Sequence, residues 1–152
     1  MLGIERVACA GIVFGFLFIL GFSANGWGQT AAKSKCLSYE PAVAKFSGRL
    51  VRKAFPGPPE YKSTRTGDKA EIFWLLRLDR PICVSEDKDQ PDSNPARADI
   101  RELQLVVPNG FYPRYRSLVG QHVSISGTLF GEHTIHHRTS VLLTVKTLAK
   151  AD

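Results

Sequence analysis

The chain is poor in the residues that announce chemistry. It has only three cysteines and four histidines in 152 residues. No Cys-x-x-Cys pair, Gly-rich phosphate loop or Ser-His-Asp order occurs, and no paired carboxylates suggest general acid–base work. These absences argue against a thiolate metal scaffold, a nucleotide-binding loop and the familiar hydrolase arrangements. A hydrolase whose groups converge only in space stays open. Long apolar runs are also missing: the longest, Val7–Phe22, has sixteen residues and is interrupted by Gly11, Gly15 and Gly21. A membrane span needs about 20.

That run has a different layout. It follows the short start Met1–Arg6, is dense in Phe14, Phe16, Leu17, Phe18 and Leu20, and gives way to the small and polar residues Ser23–Gly28. This is the pattern of a secretory signal peptide, with Gly26 and Gly28 satisfying the small-residue rule for cleavage after Gly28. Residues 1–28 are thus expected to be a signal peptide and 29–152 a single domain in the periplasm of a Gram-negative envelope. An uncleaved anchor is the alternative, and membrane contact is expected only through that segment. A lipoprotein is not expected, because Cys9 comes early and Cys36 follows Ser34-Lys35 rather than an apolar lipobox.

Loss of residues 1–28 removes one Arg and one Glu, so the formal charge stays +6. Residues 85–99 are net acidic, with Glu86, Asp87, Asp89, Asp92 and Asp99 against Lys88 and Arg97, so the rest of the domain is more basic still. Such a surface attracts anions. The domain keeps two cysteines, Cys36 and Cys83, and an exported pair is expected to be oxidised. Closing that loop stabilises the fold by roughly 4 kcal/mol in the chain-entropy model.

Strand periodicity recurs along the domain. Residues 42–55 alternate Ala44, Phe46, Gly48 and Leu50 with polar neighbours, and Pro56-Gly57-Pro58-Pro59 ends the strand. Residues 71–78 place Ile72, Trp74, Leu76 and Leu78 on one face; Pro81 bends the chain before Ile82-Cys83-Val84. In residues 100–107, Leu103, Leu105 and Val107 point inward, with Glu102 and Gln104 outward. Phe111–Val119 has helical spacing and is capped by Gly120. Strands at 122–130 and 140–148 follow. The predicted class is all-β with one short helix: a five-stranded OB-like barrel, the helix between strands 3 and 4. A β-sandwich is the alternative. Ser47-Gly48-Arg49-Leu50-Val51 and Ser126-Gly127-Thr128-Leu129-Phe130 share a small-Gly-x-Leu-apolar pattern. Their glycines are expected to let the first and fourth strands bend where the barrel closes.

Barrels of this kind usually bind through the second and third strands and two flanking loops. The first loop here carries Tyr61, Lys62, Arg65 and Lys69; the second carries Phe130, His133, His136, His137 and Arg138. Cations attract anionic groups and rings offer stacking surface, so these nine residues are the candidate ligand-binding set. His133, His136 and His137 are also candidate metal ligands, with Glu132 available as a fourth, although no cysteine is adjacent. Asp87-x-Asp89-x-x-Asp92-x-Asn94 lacks the glycine and the glutamate of an EF-hand and reads as a solvated acidic loop.

From Cys36 onward the chain resembles a family of short exported bacterial domains of unknown function. The resemblance rests on Cys36-Leu37-Ser38-Tyr39-Glu40-Pro41, Phe55–Tyr61, Trp74–Leu78, Pro81–Val84, Leu103–Val107, and Gly127–Phe130 leading into His136-His137-x-Thr139. It implies an envelope protein with a small β-fold and brings neither an activity nor site residues. Relatives in which such a domain accompanies a lysozyme-inhibitor-like module hint at the cell wall. The expected function is a non-enzymatic periplasmic binding module for an anionic envelope component or a protein partner. A metal-binding envelope protein using the histidine tip is the alternative. No cofactor is expected, and nucleic acid is not the expected partner.

Overall fold

A computed structural model describes residues 35–151. Five strands, β1 (Val43–Pro56), β2 (Ala70–Val84), β3 (Arg97–Val106), β4 (His122–Gly131) and β5 (Val141–Lys150), close into a barrel in the order β1-β2-β3-β5-β4. A short helix, α1 (Phe111–Tyr115), and a 3₁₀ turn (Arg116–Leu118) lie between β3 and β4. The all-β class, the five strands and the position of the helix agree with the periodicity.

Alternation fills the barrel. Leu50, Leu76, Leu103, Val123, Leu129, Val141 and Leu143 are fully buried in one core with Phe46, Trp74 and Phe111. β1 is the long strand that closes the ring: Val43–Arg49 pair with β4 and Gly48–Pro56 with β2, so Gly48 pairs on both sides. A Cβ at Gly48 would fall on the backbone carbonyl of Arg77, and one at Gly127 on that of Thr144. The shared glycine pattern therefore marks two places where backbones approach too closely for any side chain. At Gly127 the β4–β5 register also shifts, which is the mark of a bulge.

Several local expectations change in the folded chain. β2 continues through Pro81, because the β2–β3 register shifts between Arg77 and Ile82 and a bulge does not need proline's missing donor. β3 begins at Arg97 and β5 reaches Lys150. The expected nine-residue helix is split, α-helical to Tyr115 and 3₁₀ to Leu118, and it is closed by an extended Val119 rather than by Gly120; Gly120, with a left-handed φ of 84°, turns the chain into β4 instead. Ile72 shares the parity of Trp74 but is 44% exposed, because the hairpin has run past the core there. Gln104 points out of the barrel yet is only 4% exposed, because a loop covers it.

Cys36 and Cys83 form a disulfide with Cα atoms 4.8 Å apart. Its support is a short parallel bridge between Leu37 and Val84, rather than the antiparallel β1–β2 ladder. Leu37 N–H donates to the Cys83 carbonyl, and Ser85 N–H donates to that of Leu37. The signal-peptide reading falls on residues 1–28, outside the described residues.

Candidate functional site

The first candidate loop, 57–69, is built around one carboxylate. Asp68 is buried and accepts hydrogen bonds from the backbone N–H groups of Glu60 (2.9 Å), Lys62 (2.7 Å) and Ser63 (2.8 Å). Those donors, with Glu60 foremost, hold its pKa below the ordinary carboxylate range. Ser63 caps a 3₁₀ turn at Thr64–Thr66. Tyr61 takes a left-handed φ of 59°, rare for a bulky residue; the Glu60 and Lys62 amides bound to Asp68 fix the chain on either side of it. Lys62, Arg65 and Lys69 are exposed, and Lys62 meets Glu60 at 3.0 Å. Such an exposed ion pair adds little stability.

The second loop, 132–140, folds onto the outer face of the barrel. Register aligns Leu75, Gln104, Leu142 and Phe130 across β2, β3, β5 and β4. Leu75 and Leu142 are fully buried although they lie outside the central core cluster. Gln104 anchors the loop between them: its amide donates to the His136 carbonyl (3.2 Å) and its side-chain oxygen accepts from Arg138 N–H (2.6 Å). The Gln104 backbone N–H donates to Thr139 Oγ1 (3.0 Å), which donates to the Val141 carbonyl (2.7 Å). The strand face on which barrels of this order usually bind is thus occupied, at this row, by the protein's own loop.

Arg138 joins the two loops. Its Nη2 donates to the Pro56 carbonyl (2.8 Å) and to Glu71 Oε2 (3.0 Å). Its guanidinium lies 5.6 Å from the Phe55 and Tyr61 ring centroids and 5.7 Å from that of Phe73. The side chain is 13% exposed, so this cation serves the fold more than the solvent.

The three clustered histidines divide. His133 and His137 stack edge to face at 4.6 Å against Phe130. His133 N–H donates to His137 Nδ1 (3.0 Å), which therefore carries no proton. Burial first, then the neighbouring His133, pushes the His137 pKa below its ordinary value. His136 turns the other way, edge-on to Tyr61 at 5.8 Å and 3.4 Å from Glu71. Among the described residues no group of three or more His, Cys, Asp or Glu is arranged to hold a metal ion.

A second polar cluster escaped the sequence reading. Ser47 Oγ donates to Asp79 Oδ2 (2.7 Å), and His122 Nε2 lies 2.7 Å from the same oxygen. The Ser47 hydrogen bond, then that of His122, lowers the Asp79 pKa. The carboxylate sits between hydroxyl and imidazole, so the imidazole does not address the serine as it would in a Ser-His-Asp relay; the three groups tie β1, β2 and β4 together at the surface. Nothing local flags it, since β1–β4 register and the β2 bulge bring the three residues together.

Residues 102–149 match the model of a family described as a domain of unknown function, DUF4431. That stretch runs from the middle of β3 through α1 and β4 almost to the end of β5 and contains the covering loop. It also holds the segments Leu103–Val107, Gly127–Phe130 and His136–Thr139, while those at Cys36–Pro41, Phe55–Tyr61, Trp74–Leu78 and Pro81–Val84 lie outside it. A search of curated proteins finds no match.

Proposed function

We propose that the chain is a non-enzymatic binding module of the bacterial envelope, exported to the periplasm with cleavage after Gly28. Its two joined loops would engage an anionic envelope component. The carrying observation is Arg138: by clamping loop 132–140 to Pro56 and Glu71 and lying against Tyr61, it makes one surface of both loops. That surface keeps Lys62, Arg65 and Lys69 exposed, and among the described residues Arg65 and Lys69 have no carboxylate within 4.0 Å. Free cations of this kind favour an anionic ligand over an apolar protein partner. Export is supported by the apolar run ahead of Gly26 and Gly28, and the disulfide is compatible with an oxidising compartment. Among the described residues no helix is long and apolar enough to cross a membrane.

The test is binding to phosphatidylglycerol vesicles and to purified sacculi over a salt series. The Lys62→Ser/Arg65→Ser/Lys69→Ser variant should bind about tenfold more weakly, with a flatter salt dependence. Unchanged affinity and slope would remove the loops from the site. The mass of the native protein, expected to begin at Gln29 and to come from the periplasmic fraction, tests export.

A further inference from the structure

The end of the β1–β2 hairpin has a second face, away from both loops. Arg52, Ala54, Ile72 and Trp74 share the parity of the core residues Leu50 and Leu76. Trp74 still belongs to the core, but farther out the barrel no longer covers the hairpin, and Ile72 is 44% exposed. Across from it stands α1. Tyr112 is 43% exposed and meets Trp74 edge-on with ring centroids 5.0 Å apart. Pro113 and Val119 extend the apolar wall of a cleft of about 620 Å³, within the size range of small-ligand sites.

The charges in this cleft have one sign. Arg52 and Arg116 line it, and no acidic residue does. Among the described residues, neither arginine has a carboxylate within 4.0 Å, whereas Lys53 and Arg77 share Glu102, Arg97 faces Glu132, Arg101 faces Asp99 and Arg138 faces Glu71. An exposed apolar wall beside two unpaired guanidinium groups is complementary to a molecule with an apolar body and an anionic head.

We infer that this cleft binds a single-chain alkyl phosphate, the chemistry of a lipid-derived phosphate monoester. Its chain would lie along Ile72, Tyr112, Pro113 and Val119, with its head at Arg52 and Arg116. An open apolar wall suits a flexible chain better than an enclosed ring. Two arginines suit a phosphate, with three acceptor oxygens and up to two negative charges, better than a carboxylate. The site is independent of the loop surface, which occupies the opposite face of the hairpin.

The experiment is titration of the full chain with octyl phosphate below its micellar concentration, followed by amide and indole NMR shifts. Octanoate, octyl glucoside and inorganic phosphate serve as comparators. Octyl phosphate should shift the Trp74 indole and Tyr112 amide signals and bind at least tenfold more tightly than each comparator. Arg52→Gln/Arg116→Gln should weaken it at least tenfold, and Ile72→Ser/Tyr112→Ser should do the same. The Lys62→Ser/Arg65→Ser/Lys69→Ser variant should bind it as the parent does. Four results would each overturn the assignment: equal binding of octyl glucoside, tighter binding of octanoate, unchanged binding by the arginine variant, or loss of binding in the loop variant. Both arginines are exposed, so an unchanged melting curve separates lost binding from lost folding.

Discussion

The two faces of the β1–β2 hairpin are made from the same strands and the same kinds of residue, yet they do different things. On the outer face Arg138 lies among Phe55, Tyr61 and Phe73 and reaches Glu71 and the Pro56 carbonyl. On the inner face Arg52 and Arg116 border Ile72, Trp74 and Tyr112, and among the described residues no carboxylate lies within 4.0 Å of either. Arginine beside aromatic rings is packed and ion-paired in the first case, and solvent-exposed in the second. Mixed cations and rings therefore do not themselves mark a binding surface. What matters is whether the protein has already supplied the anion and the cover.

The largest expected effect comes from outside this comparison and tests whether the contrast is local. Cys36→Ser/Cys83→Ser should lower stability by about 2–5 kcal/mol in urea denaturation. It should leave octyl phosphate binding intact, since the disulfide holds the end of β2 far from the hairpin. Arg138→Ala strikes the covered face directly. It leaves Glu71 half-buried without its cation and should cost about 2–4 kcal/mol in the same measurement. Gln104→Leu removes the amide that holds His136 and Arg138 in place and should cost about 1–3 kcal/mol. Increased hydrogen exchange confined to residues 132–140 would identify the loop as the part released. An unchanged exchange pattern would show that Gln104 does not hold the cover.

A smaller effect concerns pH. The pKa of His137 is lowered in the folded chain, so the unfolded chain binds a proton more readily. Its contribution is full above about 6.5 and is lost as pH falls through the lowered folded value. Melting curves between pH 8 and pH 5 should therefore show a modest acid loss that His137→Gln reduces. The smallest effect belongs to the open face: Arg52→Gln/Arg116→Gln should change stability by no more than about 0.5 kcal/mol. A loss comparable to that of Arg138→Ala would erase the distinction between the faces.

Much of this architecture was legible before folding, for a local reason. Period-two alternation in residues 42–55, 100–107 and 122–130, together with turn residues such as Pro56–Pro59 and Pro108–Gly110, names strands and their ends without reference to distant residues. The order of those strands with one helix restricts the topology, and the two cysteines within residues 29–152 have one partner each to choose. The glycines at 48 and 127 were legible too, although close backbone approach is what requires them.

The roles of the site residues were not legible, because they depend on which surface covers which. A one-residue choice of register decides whether Gln104 meets solvent or the loop, and nothing near Gln104 in sequence announces Thr139 or Arg138. The same holds for the histidines, three close neighbours in sequence that the fold turns toward Phe130 and toward Glu71. Arg138 and Arg116 are alike as residues in a chain. Only the packed structure sets Glu71 beside one and leaves the other open, because pairing a charge requires atoms a few ångströms apart, and residues far apart in sequence reach that distance only through the closed barrel.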